Sequence, residues 1–163
     1  MSDLDDAQFP LDPAEQERLL NSQKECTFIW NTREGWPVGA TMGYLWQDGK
    51  FWMTCGGERP RVRAVRRNDK VCVVVSEQRP NNASVAVTIK GRCRVHDDSQ
   101  TKQWFYDKST RRAFPDNEAA RQAVLKMLDS PTRVVLCVTP EKSFSYDGTK
   151  MIRATAGAEQ SNS

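Results

Sequence analysis

Residues 37–69 read PVGATMGYLWQDGKFWMTCGGERPRVRAVRRND, and this stretch decides the fold. Side chains alternate between two faces up to residue 46, which predicts a β-strand. Asp48 and Gly49 favour the positive φ angles of a two-residue hairpin turn, so residues 50–54 are expected to return as the partner strand. Gly39, Thr41 and Gly43 share one face of the first strand, where a flat molecule could approach the backbone.

Five arginines follow the glycine pair at residues 56–57, at positions 59, 61, 63, 66 and 67. Guanidinium groups bind phosphate through paired N–H donors. We expect Arg61 and Arg63 to reach one phosphate, and Arg66 and Arg67 to point elsewhere on a short helix over residues 61–68. The alternative is a solvated basic surface, which is what most charge runs form. The position directly after a glycine-lined hairpin favours a site for a phosphorylated planar cofactor.

Composition narrows the class of protein. A chain of 163 residues suits one domain, and a net charge of +3 from 24 basic and 21 acidic residues does not indicate a dedicated nucleic-acid binder. The five cysteines contain no CxxC pair, so neither a zinc site nor a dithiol motif is expected, and no metal is expected elsewhere. The absence of a signal peptide and of a membrane-length apolar run predicts a cytoplasmic protein that does not contact membranes.

The rest of the chain adds strands first and helices later. A capping pattern predicts a helix from Pro13 to about Asn21, and apolar runs predict strands at 26–30, 71–75, 84–95 and 133–138, with a bulge at Gly91. Two helices are expected from about Asp98 and Asp116. Residues 1–10 and 154–163 are expected to be disordered, which leaves one domain over residues 11–153. These elements predict a mainly β fold, a small antiparallel barrel of six strands, with an α+β sandwich as the alternative.

The sequence offers little for catalysis by its own side chains. His96 is the only histidine, it follows the longest predicted strand, and it is expected to be solvent-exposed. No GxSxG, Walker A or GxGxxG motif occurs. An enzyme of this kind would depend on a cofactor for its chemistry. The five tryptophans favour a core or a subunit interface over a stacking platform for single-stranded nucleic acid.

Three motifs together resemble one known family. Residues 61–68 (RVRAVRRN) after the hairpin, 89–95 (IKGRCRV) and 144–151 (FSYDGTKM) are similar, in this order, to the pyridoxamine 5′-phosphate oxidase-like split-barrel flavoproteins, over about Cys26 to Met151. The resemblance implies a six-stranded antiparallel split β-barrel with peripheral helices. It also implies a homodimer that binds its cofactor, flavin mononucleotide (FMN), at the subunit interface.

The resemblance also implies roles for seven residues. Arg61 and Arg63 match phosphate ligands, Thr54 matches a contact to the phosphate or ribityl chain, and Met53 lies beside it. The strand containing Ala40, Thr41 and Met42 matches the one whose backbone lies along the isoalloxazine ring. The carboxyl-terminal Arg-x-His segment of true pyridoxamine phosphate oxidases is missing. Vitamin B6 oxidation is therefore not expected, and the shorter members that the chain resembles take either FMN, which we favour, or the deazaflavin coenzyme.

The sequence thus predicts an FMN-dependent oxidoreductase that transfers a hydride or electrons between the cofactor and a small organic substrate. One alternative is a deazaflavin-dependent reductase. Another is a flavin- or haem-binding carrier or sensor without turnover. A small-barrel nucleic-acid binder is the least favoured hypothesis.

Overall fold

The computed structural model describes the backbone of residues 9–160 and the side chains of residues 9–156. This part of the chain forms seven strands and five helices. The strands are β1 Glu25–Asn31, β2 Pro37–Gly43, β3 Leu45–Gln47, β4 Lys50–Gly56, β5 Lys70–Gln78, β6 Ser84–His96 and β7 Arg133–Asp147. The helices are α1 Pro13–Ser22, α2 Pro60–Arg67, α3 Ser99–Ala113, α4 Glu118–Leu128 and α5 Gly148–Gln160.

All seven strands belong to one antiparallel sheet, in the order β2-β1-β5-β6-β7-β4-β3. β2 and β3 lie at opposite edges of this sheet, although only Tyr44 separates them in the chain. The sheet must therefore curl until its two edges meet, which produces the split barrel. The predicted mainly β barrel with peripheral helices is confirmed.

The seventh strand arises where the sequence predicted a single strand over residues 38–46. The Asp48-Gly49 turn is confirmed, with φ angles of 53° and 69°, but it joins the short β3 to β4. β2 pairs instead with β1. Tyr44 anchors the chain between β2 and β3. Its hydroxyl donates to the Leu20 carbonyl at 2.7 Å, and its backbone N–H donates to the Lys24 carbonyl at 3.1 Å.

The core fills the inside of the barrel. Its largest fully buried side chains come from β1, β4, β5, β6 and β7 and from helices α1 and α2, and include Phe28, Phe51, Met53, Val62, Val73, Ile89 and Leu136. A second, smaller cluster lies outside the barrel, where Phe105 of α3 and Leu128 of α4 pack on Leu45 and Val135. α3 begins as predicted, with Asp98 accepting from the Thr101 N–H at 2.8 Å, whereas Asn117 rather than Asp116 caps α4.

The two chain ends differ from the predicted disorder. Asp147 accepts from the Thr149 N–H at 2.9 Å and so initiates α5, a helix that continues to Gln160 through residues expected to be disordered. The alanines at 154, 156 and 158 favour that helix. The Phe9 carbonyl accepts from the Asp147 N–H at 2.7 Å, which holds the start of the described chain against β7. Residues 1–8 and 161–163, also predicted to be disordered, lie outside the described residues.

None of the helices in the described part of the chain has the length and apolar character needed to span a bilayer.

Candidate functional site

The end of β4 and the start of α2 meet at a rim of the barrel. The backbones approach so closely there that position 57 requires glycine. The Gly57 N–H donates to the Thr132 carbonyl at 2.7 Å. A Cβ atom at Gly57 would lie 2.5 Å from that same oxygen, so a side chain there would force the backbones apart. Gly57 therefore allows the chain to turn tightly beside β7 and brings the first turn of α2, with its positive dipole end, to the rim.

Arg61 is the most informative side chain at this rim. Its Nε atom is buried and makes no hydrogen bond to any of the described residues. Its guanidinium carbon lies 5.4 Å from the centre of the Trp30 ring, which is within range of a cation–π interaction. A buried donor without a partner costs about 1–3 kcal/mol. This arrangement is suited to an anionic ligand that would accept the hydrogen bond.

Two further residues at this rim were missed by sequence reasoning. Arg133 opens β7 and pairs with Gly56, and Tyr106 lies on α3. The Arg133 Nε atom and the Tyr106 hydroxyl are both buried, and neither has a hydrogen-bond partner among residues 9–156. Burial raises the pKa of Tyr106, while the Thr54 side chain and the charge of Arg133 act in the opposite direction. The only signal for Arg133 was a charged residue at the start of an apolar strand.

Arg61 and Arg133 form a positively charged pair around the end of β4. Burial raises the pKa of the Cys55 thiol, and the charges of both arginines oppose that rise. Arg133 pairs with Gly56 at the end of β4, and Arg61 lies in the first turn of α2, which begins four residues after Gly56. Two arginines from distant parts of the chain thus lie near the end of β4, and each has a buried Nε atom without a partner among residues 9–156.

Thr54 precedes Cys55 on β4 and lines an apolar cavity. Its hydroxyl donates to the Val134 carbonyl at 2.8 Å, so its lone pairs remain available to accept a hydrogen bond. The cavity has a volume of about 240 Å³ and lies between the outer face of the sheet and helices α3 and α4. Leu45, Phe105 and Leu128 line it. This volume and lining suit a small organic molecule or part of a ring system.

The remaining predicted cofactor-binding residues are Ala40, Thr41, Met42 and Met53. Some of their side chains point into the barrel and others point out of it. Met42 is buried and Met53 is fully buried in the barrel core, where its sulfur lies 3.7 Å from the Cys26 sulfur. Ala40 is half-buried against the same core. Only the backbones of these three residues can face a ligand outside the barrel. Thr41 points outward into a cleft of about 640 Å³.

Arg63 lies two residues after Arg61 on α2, and its side chain is exposed. Residues two apart on a helix point to different sides, whereas residues four apart are neighbours. Arg63 accordingly lines an exposed cleft together with Arg67 and Arg33. The expectation that Arg67 points away from Arg63 is therefore wrong. Arg66 does point elsewhere, with its guanidinium 3.7 Å from the Asp97 carboxylate.

Comparison with known proteins identifies the family. The sequence profile described as pyridoxamine 5′-phosphate oxidase matches residues 13–147, which is most of the chain. The chain belongs to the pyridoxamine 5′-phosphate oxidase family. No curated protein matches its sequence.

Solved structures show how widely this barrel is shared. The conserved hypothetical protein Rv2991 from Mycobacterium tuberculosis is 17% identical, with a TM-score of 0.77 over 89% of this chain and 90% of that one. An FAD-binding protein from Mesorhizobium loti is 14% identical, with a TM-score of 0.65 over 83% of this chain and 94% of that one. The heme storage protein HutZ from Vibrio cholerae is 12% identical, with a TM-score of 0.66 over the same shares. At these identities the likeness establishes the fold alone.

His96 in this pyridoxamine 5′-phosphate oxidase family member is not the exposed residue that the sequence predicted. It is the last residue of β6, and its side chain is only 19% exposed. Its ring lies 5.8 Å from the Trp52 ring, and its Nδ1 atom is 3.7 Å from an Asp98 carboxylate oxygen.

Within the described residues no group of three or more metal-ligating side chains occurs. Burial raises the pKa of Cys26 to about 12, so this thiol stays protonated at neutral pH.

If this protein catalyses a redox reaction, we expect His96→Ala to leave the rate nearly unchanged. We expect a structural role for the imidazole, because it packs on Trp52 and lies beside the Asp98 carboxylate. Loss of a general base, in contrast, costs on the order of 10²–10⁴ in rate. Steady-state reduction of an artificial acceptor, measured at saturating cofactor in both proteins, checks this. A rate loss of that size would show that His96 takes part in proton transfer.

Proposed function

We propose that this protein is a flavin-dependent oxidoreductase that binds FMN at the β4–α2 rim and exchanges a hydride or electrons with a small organic substrate. The observation that carries this proposal is Arg61, whose buried Nε atom has no partner in the described part of the chain. Membership of the pyridoxamine 5′-phosphate oxidase family supports it.

The residues at the rim fit the parts of FMN. Arg61 and Arg133 supply unpaired donors for the phosphate, and Thr54 accepts a hydrogen bond from the ribityl chain. The exposed backbone beside Gly39, Thr41 and Gly43 allows a planar ring to approach β2 closely. FMN, when bound, supplies the redox chemistry. The protein positions it and, through the apolar cavity beside Thr54, holds the substrate and excludes water.

The experiment for this proposal identifies the cofactor first and tests turnover second. Mass spectrometry of the small molecules released from the purified protein distinguishes FMN from the deazaflavin coenzyme and from haem. Reduction of the bound cofactor by a nicotinamide donor, followed by reoxidation with an acceptor, then tests activity. Bound FMN with turnover supports the proposal. Bound deazaflavin or haem contradicts the choice of cofactor, and bound FMN without turnover indicates a carrier or sensor.

We also propose that two copies of the chain assemble with the cofactor at their interface. The outer face of β2, β1 and β5 carries small or apolar side chains in register, with Thr41 beside Thr27 and Thr27 beside Val74. Ile29 and Cys72 pair on the same face, and both remain half-buried. A sheet face of this composition suits packing against a second copy. Thr41 would then lie at the interface, next to the proposed ring site.

Light scattering at micromolar concentration should therefore report a dimer. Val74→Arg places a charge in the middle of this face, and we expect it to produce monomers with weakened flavin affinity. Met127→Arg is the matched control, because Met127 is 63% exposed on α4, away from this face. A wild-type monomer, or a Val74→Arg protein that remains dimeric, would contradict the proposed interface.

A further inference from the structure

The apolar cavity that Thr54 lines also contains two positive charges. This cavity, which we call the α3–α4 cavity, has a volume of about 240 Å³. Lys24 and Arg112 line it, and among the described residues no carboxylate does. Its large apolar side chains come from the sheet, from the two helices and from the residue that follows α3, and they are Leu45, Phe105, Phe114, Val124 and Leu128. Such a lining suits a small ligand with an apolar body and a negative charge.

The two cations of the α3–α4 cavity lie close together, at the connection between α1 and β1. Arg112 donates from its Nη2 atom to the Gln23 carbonyl at 2.9 Å and also to the Asn21 carbonyl, which fixes the guanidinium group there. Lys24 is the next residue of this connection. The Lys24 ammonium group and the Nε and Nη1 atoms of Arg112 have no partner among residues 9–156. Both side chains can therefore donate to one anionic group.

The hydroxyl groups that line the α3–α4 cavity do not compete for this role. Each of them donates its proton to a backbone carbonyl, over distances from 2.6 to 3.4 Å. They belong to Tyr44, Thr54, Ser109 and Thr110. A hydroxyl whose proton is already used can accept a hydrogen bond from a ligand but cannot donate one to it. Of the side chains that line the cavity, only Lys24 and Arg112 can therefore donate to a negatively charged group.

Gly43 connects the α3–α4 cavity to the proposed site of the flavin ring. It lines the cavity, and it is also the last residue of β2, the strand whose exposed backbone the ring would approach. Apart from its chain neighbours, the only atom within 4 Å of a Cβ atom placed on Gly43 would be the Lys24 carbonyl oxygen, at 3.8 Å. The space over Gly43 is therefore open, and a molecule in the cavity would lie beside the ring.

We propose that the α3–α4 cavity selects small apolar carboxylates, of about the size of benzoate, as substrates. The proposal rests on the proposed function for the transfer of a hydride or electrons. Lys24 and Arg112 bind the carboxylate, and the apolar side chains enclose the hydrocarbon body. A carboxylate suits this pair of cations because its two oxygens accept from two donors at once. An amide of the same shape has only one acceptor oxygen, and its NH₂ group would face two cations.

Calorimetric titration of the purified protein with benzoate and with benzamide tests this proposal, because the two probes share their shape and differ in charge. We expect benzoate to bind at least about tenfold more tightly, as for a hydrogen bond to a charged group. Lys24→Glu should remove this preference, and it should not disturb folding, because Lys24 is exposed. Lys108→Glu makes the same charge change at an exposed position of α3 outside the cavity, and it should preserve the preference. Val124→Phe fills the cavity and should weaken the binding of both probes.

A second titration, of the FMN-saturated protein with benzoate, separates this inference from the proposed function. Unchanged benzoate affinity supports a substrate site beside the ring. Competition between benzoate and FMN contradicts the inference, since the cavity would then belong to the flavin site. Failure of both probes to bind, equal affinities for them, or a preference that survives in Lys24→Glu also contradicts it and leaves the flavin site intact. If benzoate is preferred but the protein binds no flavin, the proposed function fails and the carboxylate site stands without it.

Discussion

Replacing Arg61 with alanine should weaken flavin binding by about 1.5–3 kcal/mol, or about 10- to 150-fold in dissociation constant. The Nε atom of Arg61 is buried at the rim and has no hydrogen-bond partner among residues 9–156, so it is available to donate to the ligand. The substitution also removes the cation that lies over Trp30. Fluorescence titration of the cofactor-free protein with FMN measures the change.

Two controls separate this effect from damage to the fold. Arg66→Ala removes an exposed arginine of the same helix whose guanidinium lies 3.7 Å from the Asp97 carboxylate, and it should leave affinity unchanged. Arg61→Lys keeps the charge but loses the two-pronged donor geometry, so it should recover only part of the affinity. Thermal unfolding should show all three variants to be folded. Equal affinities for wild type and Arg61→Ala would rule out Arg61 as the phosphate ligand.

Local sequence signals predicted the elements around this site. The Asp48-Gly49 turn, the helix after the glycine pair and the irregularity at Gly91 all depend on residues within a few positions of each other. Glycine and the Asp-Gly pair restrict backbone geometry directly, so their effect does not depend on the rest of the fold. Arg61 was predictable as a site candidate because it follows the glycine pair at residues 56–57 within a few positions.

Features that depend on tertiary contacts were not predictable. The split of residues 38–46 into β2 and β3 depends on Tyr44 bonding to Leu20 and Lys24, which are distant in the chain. Arg133 and Tyr106 reach the rim only because β7 and α3 pack beside β4. Alternation of small and large residues also does not say which face of a strand meets a ligand. Met53, which the family resemblance placed among the cofactor contacts, has its side chain in the core.

Met53→Ala should lower the free energy of unfolding by about 2–5 kcal/mol, the range for truncating a large apolar side chain in a well-packed core. Met53 is completely buried between the strands of the barrel, so the surrounding backbone can collapse only partly into the space left behind. Denaturant unfolding followed by tryptophan fluorescence measures the loss. Met127→Ala is the matched control, since that side chain is 63% exposed and its removal should change stability by less than about 0.5 kcal/mol.

Met53→Leu distinguishes a core role from a cofactor contact. Leucine keeps the volume and apolar character of the side chain, so it should cost less than about 1.5 kcal/mol of stability. Flavin affinity should be unchanged, because only the backbone of Met53 can face a ligand outside the barrel. If Met53→Leu remains as stable as the wild type but loses flavin affinity severalfold, the methionine sulfur itself contacts the cofactor. The flavin would then have to reach into the barrel, where Cys26 and Met53 now lie side by side.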